Sequence, residues 1–243
     1  MDDFLAGACK PLVEKTESDL SVTVKTQIDH DLQVGSKALI QDMKRTDELI
    51  ILLKPGRQDY QYLIAQGCIA ALASRKERFT LRGNKAGQAQ FETVLQERGL
   101  KNASSIVKHL SDGTGNQLRG APLLALSAQE IYNDYPALHD DQLKYFKLDC
   151  AEGAYALTQA PEEFAGVLVN AHLAMNGASA LVADYLFQKT EFYKPYVGTE
   201  TDALSTSLVE DLYGINALTS EKDIVMSWID KLSLNDFYQV VAD

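Results

Sequence analysis

Apolar and polar positions along the chain alternate mostly at helical spacing, with turn residues punctuating them. Residues 58–73 place Tyr62, Leu63, Gly67, Ile69, Ala70 and Ala73 on one approximate helical face. Phe91, Val94 and Leu95 form the stripe of another helix. Asn84 is its candidate N-cap, and Arg98-Gly99 ends it with a cation in the last turn and a glycine beyond. DELIILLK, 47–54, reads as a helix stopped by Pro55-Gly56. Ser127-Ala-Gln-Glu130 before Ile131 has the form of a capping box, and Ser220-Glu-Lys-Asp223 is a weaker one. Further helices are predicted at about 140–158, 161–174, 178–193, 203–213, 221–231 and 234–241.

One segment departs from this period. SVTVKTQI, 21–28, alternates Val22, Val24, Thr26 and Ile28 as a strand does, and the structure of 18–32 stays open. The chain as a whole reads as all-α. SDGTGNQLRGAP, 111–122, is rich in Gly, Ser and Asn and ends in Pro, so it is the expected loop between two lobes. The organisation expected is an N-terminal helical arm, 1–31, an N-terminal lobe, 32–115, and a C-terminal lobe, 116–243. In the arm, Phe4, Leu5, Ala8, Leu12 and Val13 share roughly one helical face, with EKTESD, 14–19, as its hinge. That face either packs on its own domain or lies in a partner's groove.

Charge sharpens the picture. The 243 residues carry a formal net charge of −11, yet residues 75–108 hold eight cations against three acids. Residues 197–243 hold two cations against nine acids, and residues 1–31 hold three against seven. A basic centre between acidic ends can focus a polyanion while the rest keeps the protein in solution. The densest basic stretch is RKERFTLRGNKAGQ, 75–88. A helix through Arg78, Arg82 and Lys85 would put all three on one face, broken by Gly83-Asn84. The new helix capped by Asn84 would then aim its free N–H groups where Arg82 and Lys85 reach, which is a phosphate site in physical terms. Gly83 would let a phosphate or sugar approach the backbone. An ordinary turn with surface cations is the equal alternative. Arg119 is a further candidate phosphate contact, and Phe79, between cations, is the better candidate for stacking a base. Tyr60, Tyr62 and Phe91 also flank the segment, with Phe91 reading as core.

Other chemistries find little support. GTGNQLRGAP lacks the GK[ST] ending of a phosphate loop, and no Gly-x-Ser-x-Gly, HExxH or Cys/His pairing stands out. His30, His109, His139 and His172 fall at no metal-ligand spacing, and Cys9, Cys68 and Cys150 are far apart and odd in number. The expectation is a non-enzymatic protein with no cofactor or metal, in a reducing compartment. MDDFLAGACKPL has acids where a signal peptide needs cations, and no apolar run approaches membrane-spanning length. A soluble, intracellular protein with no membrane partner is expected.

Several motifs, in order, resemble those of the phlebovirus/tenuivirus-type nucleoproteins of segmented negative-strand RNA viruses (phenuivirids). LRGNK, 81–85, looks like that family's RGNK element, and RGLKNASSIVKHL, 98–110, resembles the small-residue helix after it. GNQLRGAPLLALS, 115–127, PEEFAGVL, 161–168, NGASALVADYLF, 176–187, and EFYK, 191–194, continue the likeness. Ala128 stands where the family usually carries an arginine, Tyr60 where it carries a tryptophan, and the chain is acidic where known members tend to be basic. The resemblance implies a two-lobed, all-helical nucleocapsid protein that coats single-stranded genomic RNA without sequence preference. It implies Arg82, Asn84 and Lys85 on the RNA backbone, Arg119 lining the same cleft, and Phe4, Leu5 and Leu12 as the contact of an oligomerising arm. It also implies a ring- or filament-forming homo-oligomer, the viral polymerase as a further candidate partner, and a place in the virion and host cytoplasm. The alternative is a helical scaffold or interaction protein that binds no nucleic acid.

Overall fold

The computed structural model describes residues 2–32, 36–41, 47–76, 79–213, 217–218 and 220–242. Helices dominate, consistent with the expected all-α class, and two small sheets accompany them. The chain forms two compact units. One comprises Met1–Glu77 with Leu126–Lys147, and the other Arg78–Ala125 with Leu148–Asp243.

The first unit begins with a 3-10 turn, Asp2–Ala6, and helix α1, Lys10–Leu20. Strands β1 (Thr23–Ile28), β2 (Ser36–Gln41) and β3 (Glu48–Leu53) follow, and then helix α2 (Tyr60–Lys76). The strand order is β1-β3-β2, with β1 parallel and β2 antiparallel to the central β3. The alternation at 21–28 is therefore a strand. DELIILLK is also a strand, not a helix. Leu49, Ile51 and Leu53 are fully buried while Glu48, Ile50 and Leu52 are half-buried. A strand apolar on both faces shows no alternation of residue type, so its eight letters read equally well as a helix.

Helix α2 packs against α1, β2 and β3. It buries Tyr62, Leu63, Ile64, Ala65, Cys68 and Ile69, which is nearly its whole circumference. Gly67 permits the close approach to β3, because a Cβ there would lie 3.0 Å from the Ile51 side chain. At the start of α2, the buried Asp59 carboxylate takes both Nε and Nη2 of Arg57, whose guanidinium lies 5.6 Å from the Tyr145 ring centre. The expected hinge at 14–19 is instead the body of α1. Thr16 is buried, and its Oγ1 donates to the Leu12 carbonyl at 2.7 Å. The N-terminal segment packs at home. The Phe4 ring sits 5.0 Å from Tyr60, Gln61 Nε2 donates to the Phe4 carbonyl at 2.6 Å, and the Cys9 amide donates to Gln61 Oε1 at 3.0 Å.

The second unit contains strand β4 (Phe79–Gly83), helix α3 (Lys85–Glu97) and most of helix α4 (Ala103–Asp134). The later part of helix α5 (His139–Gln159), from Leu148 on, and helices α6 (Val167–Phe187), α7 (Asp202–Tyr213) and α8 (Glu221–Lys231) follow, and strand β5 (Tyr238–Ala242) ends it. α4 is 32 residues long and runs through Pro122. The expected interlobe loop at 111–122 is thus helical, and Ser127 is a buried helix-interior residue rather than an N-cap. Gly, Ser and Asn raise the cost of a helix without forbidding it, and tertiary packing overrides so weak a preference. The two helices expected at 161–174 and 178–193 are one helix, α6. Its small residues let α7 come close, since a Cβ on Gly177 would sit 2.2 Å from Ser205 Oγ, which donates to the Ala174 carbonyl at 3.0 Å. The segment 234–241 is not a helix either, because Tyr238–Ala242 pairs with β4. No helix among the described residues is long and apolar enough to cross a membrane.

Deleting residues 1–17 removes several buried apolar side chains, each contributing about 2 kcal/mol. The first unit is therefore expected to lose helicity and cooperative melting in a circular-dichroism thermal scan. A truncated protein that melts as the full chain does would show that the segment does not contribute to this core.

Candidate nucleic-acid interface

The basic turn is built on the pairing of β4 with β5. Leu81 faces Val240, Arg82 faces Gln239 and Gly83 faces Tyr238. The Asn84 amide donates to the Phe237 carbonyl at 2.7 Å, extending the ladder one step beyond the strand. Antiparallel pairs alternate between hydrogen-bonded and open, so the Arg82–Gln239 pair is bonded and the Leu81 backbone groups point to the outer edge. Arg119, on α4, covers that edge, and its Nη2 donates to the Leu81 carbonyl at 2.7 Å.

After Asn84 the chain turns into α3. Asn84 Oδ1 accepts from the Ala86 amide at 2.9 Å, so the expected N-cap is present. Arg82 precedes the cap and Lys85 follows it. Both are exposed, and neither is ion-paired among the described residues. The expected helix through Arg82 does not form. Strand alternation turns Leu81 inward and Arg82 outward instead. The glycine requiring explanation is Gly87 rather than Gly83. A Cβ on Gly87 would lie 2.2 Å from the Asp236 carbonyl oxygen, whereas one on Gly83 meets only the Gln88 amide end at 3.4 Å. The glycine-rich sequence therefore serves the seating of α3 against the turn before β5.

A cavity of 320 Å³ opens beside this turn, lined among others by Gln88, Ser111, Asp112, Asn116, Arg119 and Tyr238. Its lining is polar and of mixed charge, with Asp112 held by Lys108 at 2.6 Å. The Tyr238 hydroxyl donates to the Ser111 carbonyl, and burial pushes its pKa up to about 12, so it remains a protonated donor. The Ser111 hydroxyl is buried beside the Tyr238 hydroxyl.

The structure thus brings Arg82, Asn84, Lys85 and Arg119 to one neighbourhood of the second unit. Arg78 lies outside the described residues. Phe79 is half-buried at the start of β4, opposite Ala242. Phe91 is core, with its ring edge-on to Phe237 at 6.3 Å, and Tyr62 is core of the first unit, 5.1 Å from the Tyr145 ring. Tyr60 is half-buried, and its hydroxyl donates to the Lys54 carbonyl at 3.1 Å. Phe4 and Leu5 are half-buried and Leu12 is fully buried, all in the first unit. Asn116 lies three residues before Arg119, a neighbour spacing that becomes legible once 111–122 is known to be helical. Gln88 lies in the first turn of α3 by the same logic. Nothing in the sequence signals Tyr238, which arrives from the far end of the chain. Among the described residues no cluster of His, Cys, Asp or Glu could hold a metal ion. All three cysteines are buried and free, and desolvation raises Cys9 to about 11 and Cys68 to about 12, which keeps both as thiols. No family model, curated protein or solved structure matches the chain.

Replacing Arg119 by Ala removes a charged donor from the Leu81 carbonyl. It is expected to lower the stability of the second unit by about 1–3 kcal/mol in urea unfolding. Gly87→Ala should cost a similar 1–3 kcal/mol through overpacking, roughly, while Gly83→Ala stays within about 0.5 kcal/mol. Equal effects at the two glycines would contradict the close approach of α3 to Asp236.

Proposed function

We propose that the protein binds single-stranded RNA through its phosphate backbone and coats it as a nucleocapsid protein. The observation that carries this reading is the pair of exposed cations, Arg82 and Lys85, on either side of the capping Asn84 at the N-terminus of α3. A helix start presents backbone N–H groups and the positive end of the helix dipole, and both favour an anion. Arg119 stands at the adjoining Leu81 carbonyl and extends the positive surface. Phosphate contacts of this kind carry no sequence information, which suits a coat. The order of motifs that resemble those of phenuivirid nucleoproteins supports the same reading. Coating requires self-assembly. The N-terminal segment supplies a route if it exchanges between copies, since its bonds to Gln61 form equally well on a neighbour's α2. The viral polymerase, the virion and the host cytoplasm belong to this proposal as partner and locations.

The Arg82→Ala/Lys85→Ala double variant tests the site. Its affinity for unrelated single-stranded RNA sequences should fall by similar factors. The slope of log K against log salt should shrink by about 1.4, corresponding to two lost phosphate contacts on a single strand. A folded double variant with unchanged affinity and slope would remove these residues from the site. A full-length protein that ignores single-stranded RNA at low salt would favour the scaffold reading instead.

A further inference from the structure

The second unit contains another cavity, and its chemistry is unlike that of the basic turn. It measures 400 Å³ and is lined by α4, the end of α5, the Pro161–Phe164 segment and α6. Tyr155, Phe164, Val169 and Leu173 supply apolar and aromatic wall. No Asp, Glu, Lys or Arg lines it. In a chain with 57 such residues among 243, a wall free of them offers a charged ligand no carboxylate, ammonium or guanidinium partner, and its polar side chains are His109, Thr114, Gln159 and His172. Tyr155 is 68% exposed, a large apolar ring left in water at the cavity's edge.

Two further observations point to an occupant. First, His172 lines the cavity, and its ring makes no hydrogen bond among the described residues. Burial lowers its pKa and favours the neutral ring, which presents one N–H donor and one acceptor nitrogen. Second, Gly113 lines the same cavity from within α4. A glycine inside a helix weakens it, and such a residue usually serves a close packing contact. Gly115, two residues further along, has that reason, since a Cβ there would come within 3.1 Å of the Tyr238 ring. Gly113 does not, because its Cβ would meet nothing within 4 Å. Gly113 is exposed at the cavity's edge, and a side chain placed there has free space to occupy.

We propose that this cavity is a binding site for one small, uncharged, flat aromatic molecule carrying a single hydrogen-bonding group. The rings of Tyr155 and Phe164 stack against its faces or edges, and His172 bonds its polar group. The volume falls in the range of small-molecule sites, about 300–1,000 Å³. The proposal does not rest on RNA binding, and the residues involved are not those of the basic turn.

The test is a fluorescence titration of the full-length protein with N-phenyl-1-naphthylamine, a neutral two-ring probe with one N–H. Wild type should show one saturable site per chain. Gly113→Leu fills the cavity and should weaken the probe by at least about tenfold, the scale on which a hydrophobic pocket discriminates by size. Gly113→Ala should weaken it less, in the same order. Both variants replace a poor helix former, so neither should lower the melting temperature, and that melt confirms the fold in which binding is read. Absence of saturable binding to wild type would overturn the proposal, as would a folded Gly113→Leu variant that binds like wild type. Dissociation of a self-associated protein by the probe, seen by light scattering, would also overturn it, by assigning the cavity to a side chain of a second copy.

Discussion

The pairing of β4 with β5 is the constraint on which the candidate interface depends. It joins residues 79–83 to residues 238–242, at opposite ends of the second unit's sequence. The pairing sets which way each side chain of the basic turn points, because strand alternation sends Leu81 inward and Arg82 outward. It also delivers the Phe237 carbonyl to the Asn84 amide and the Asp236 backbone to Gly87. Those two contacts fix where α3 begins. Lys85 is therefore placed by the last strand of the chain as much as by its own neighbours.

A two-stranded ribbon is marginal alone, and here each side of it is occupied. Leu81 and Tyr238 are buried in the second unit, and Arg119 closes the outer edge at the Leu81 carbonyl. This divides the cations by role. Arg119 is a structural donor that also borders the polar cavity, whereas Arg82 and Lys85 contribute to no ion pair among the described residues. The first unit shows the same division in Arg57, whose charge is held by buried Asp59 beneath the Tyr145 ring. A basic residue in this acidic protein is thus a candidate for a ligand only where packing leaves its head group outside.

The second unit presents two cavities of comparable size and opposite chemistry. One is polar and lies beside the exposed cations, while the other is mainly apolar and is lined by no Asp, Glu, Lys or Arg. Both border α4, which reaches them through residues 109–119. Two glycines of that helix border them, Gly115 fitting under Tyr238 and Gly113 standing exposed with no atom near its Cβ position.

What the sequence by itself determined were the features whose cause is local. Asn84 as a cap, the stop at Arg98-Gly99 and Ser220 as a cap are each decided by groups within a turn of one another, so a short window contains the whole interaction. The alternation of Val22, Val24 and Ile28 was legible for the same reason, as was the concentration of charge around residues 75–88. Tertiary structure decided the rest. LIILL is a strand because β1 and β2 flank it, and YQVVA is a strand because β4 lies beside it. The Gly-, Ser- and Asn-rich stretch at 111–122 is helical because Ser111, Thr114, Leu118 and Pro122 are buried there, and burial outweighs a weak local preference. The neighbourhood of Arg82, Lys85, Arg119 and Tyr238 has its cause in contacts between distant segments, and no local pattern of residues encodes which strand will arrive to make them.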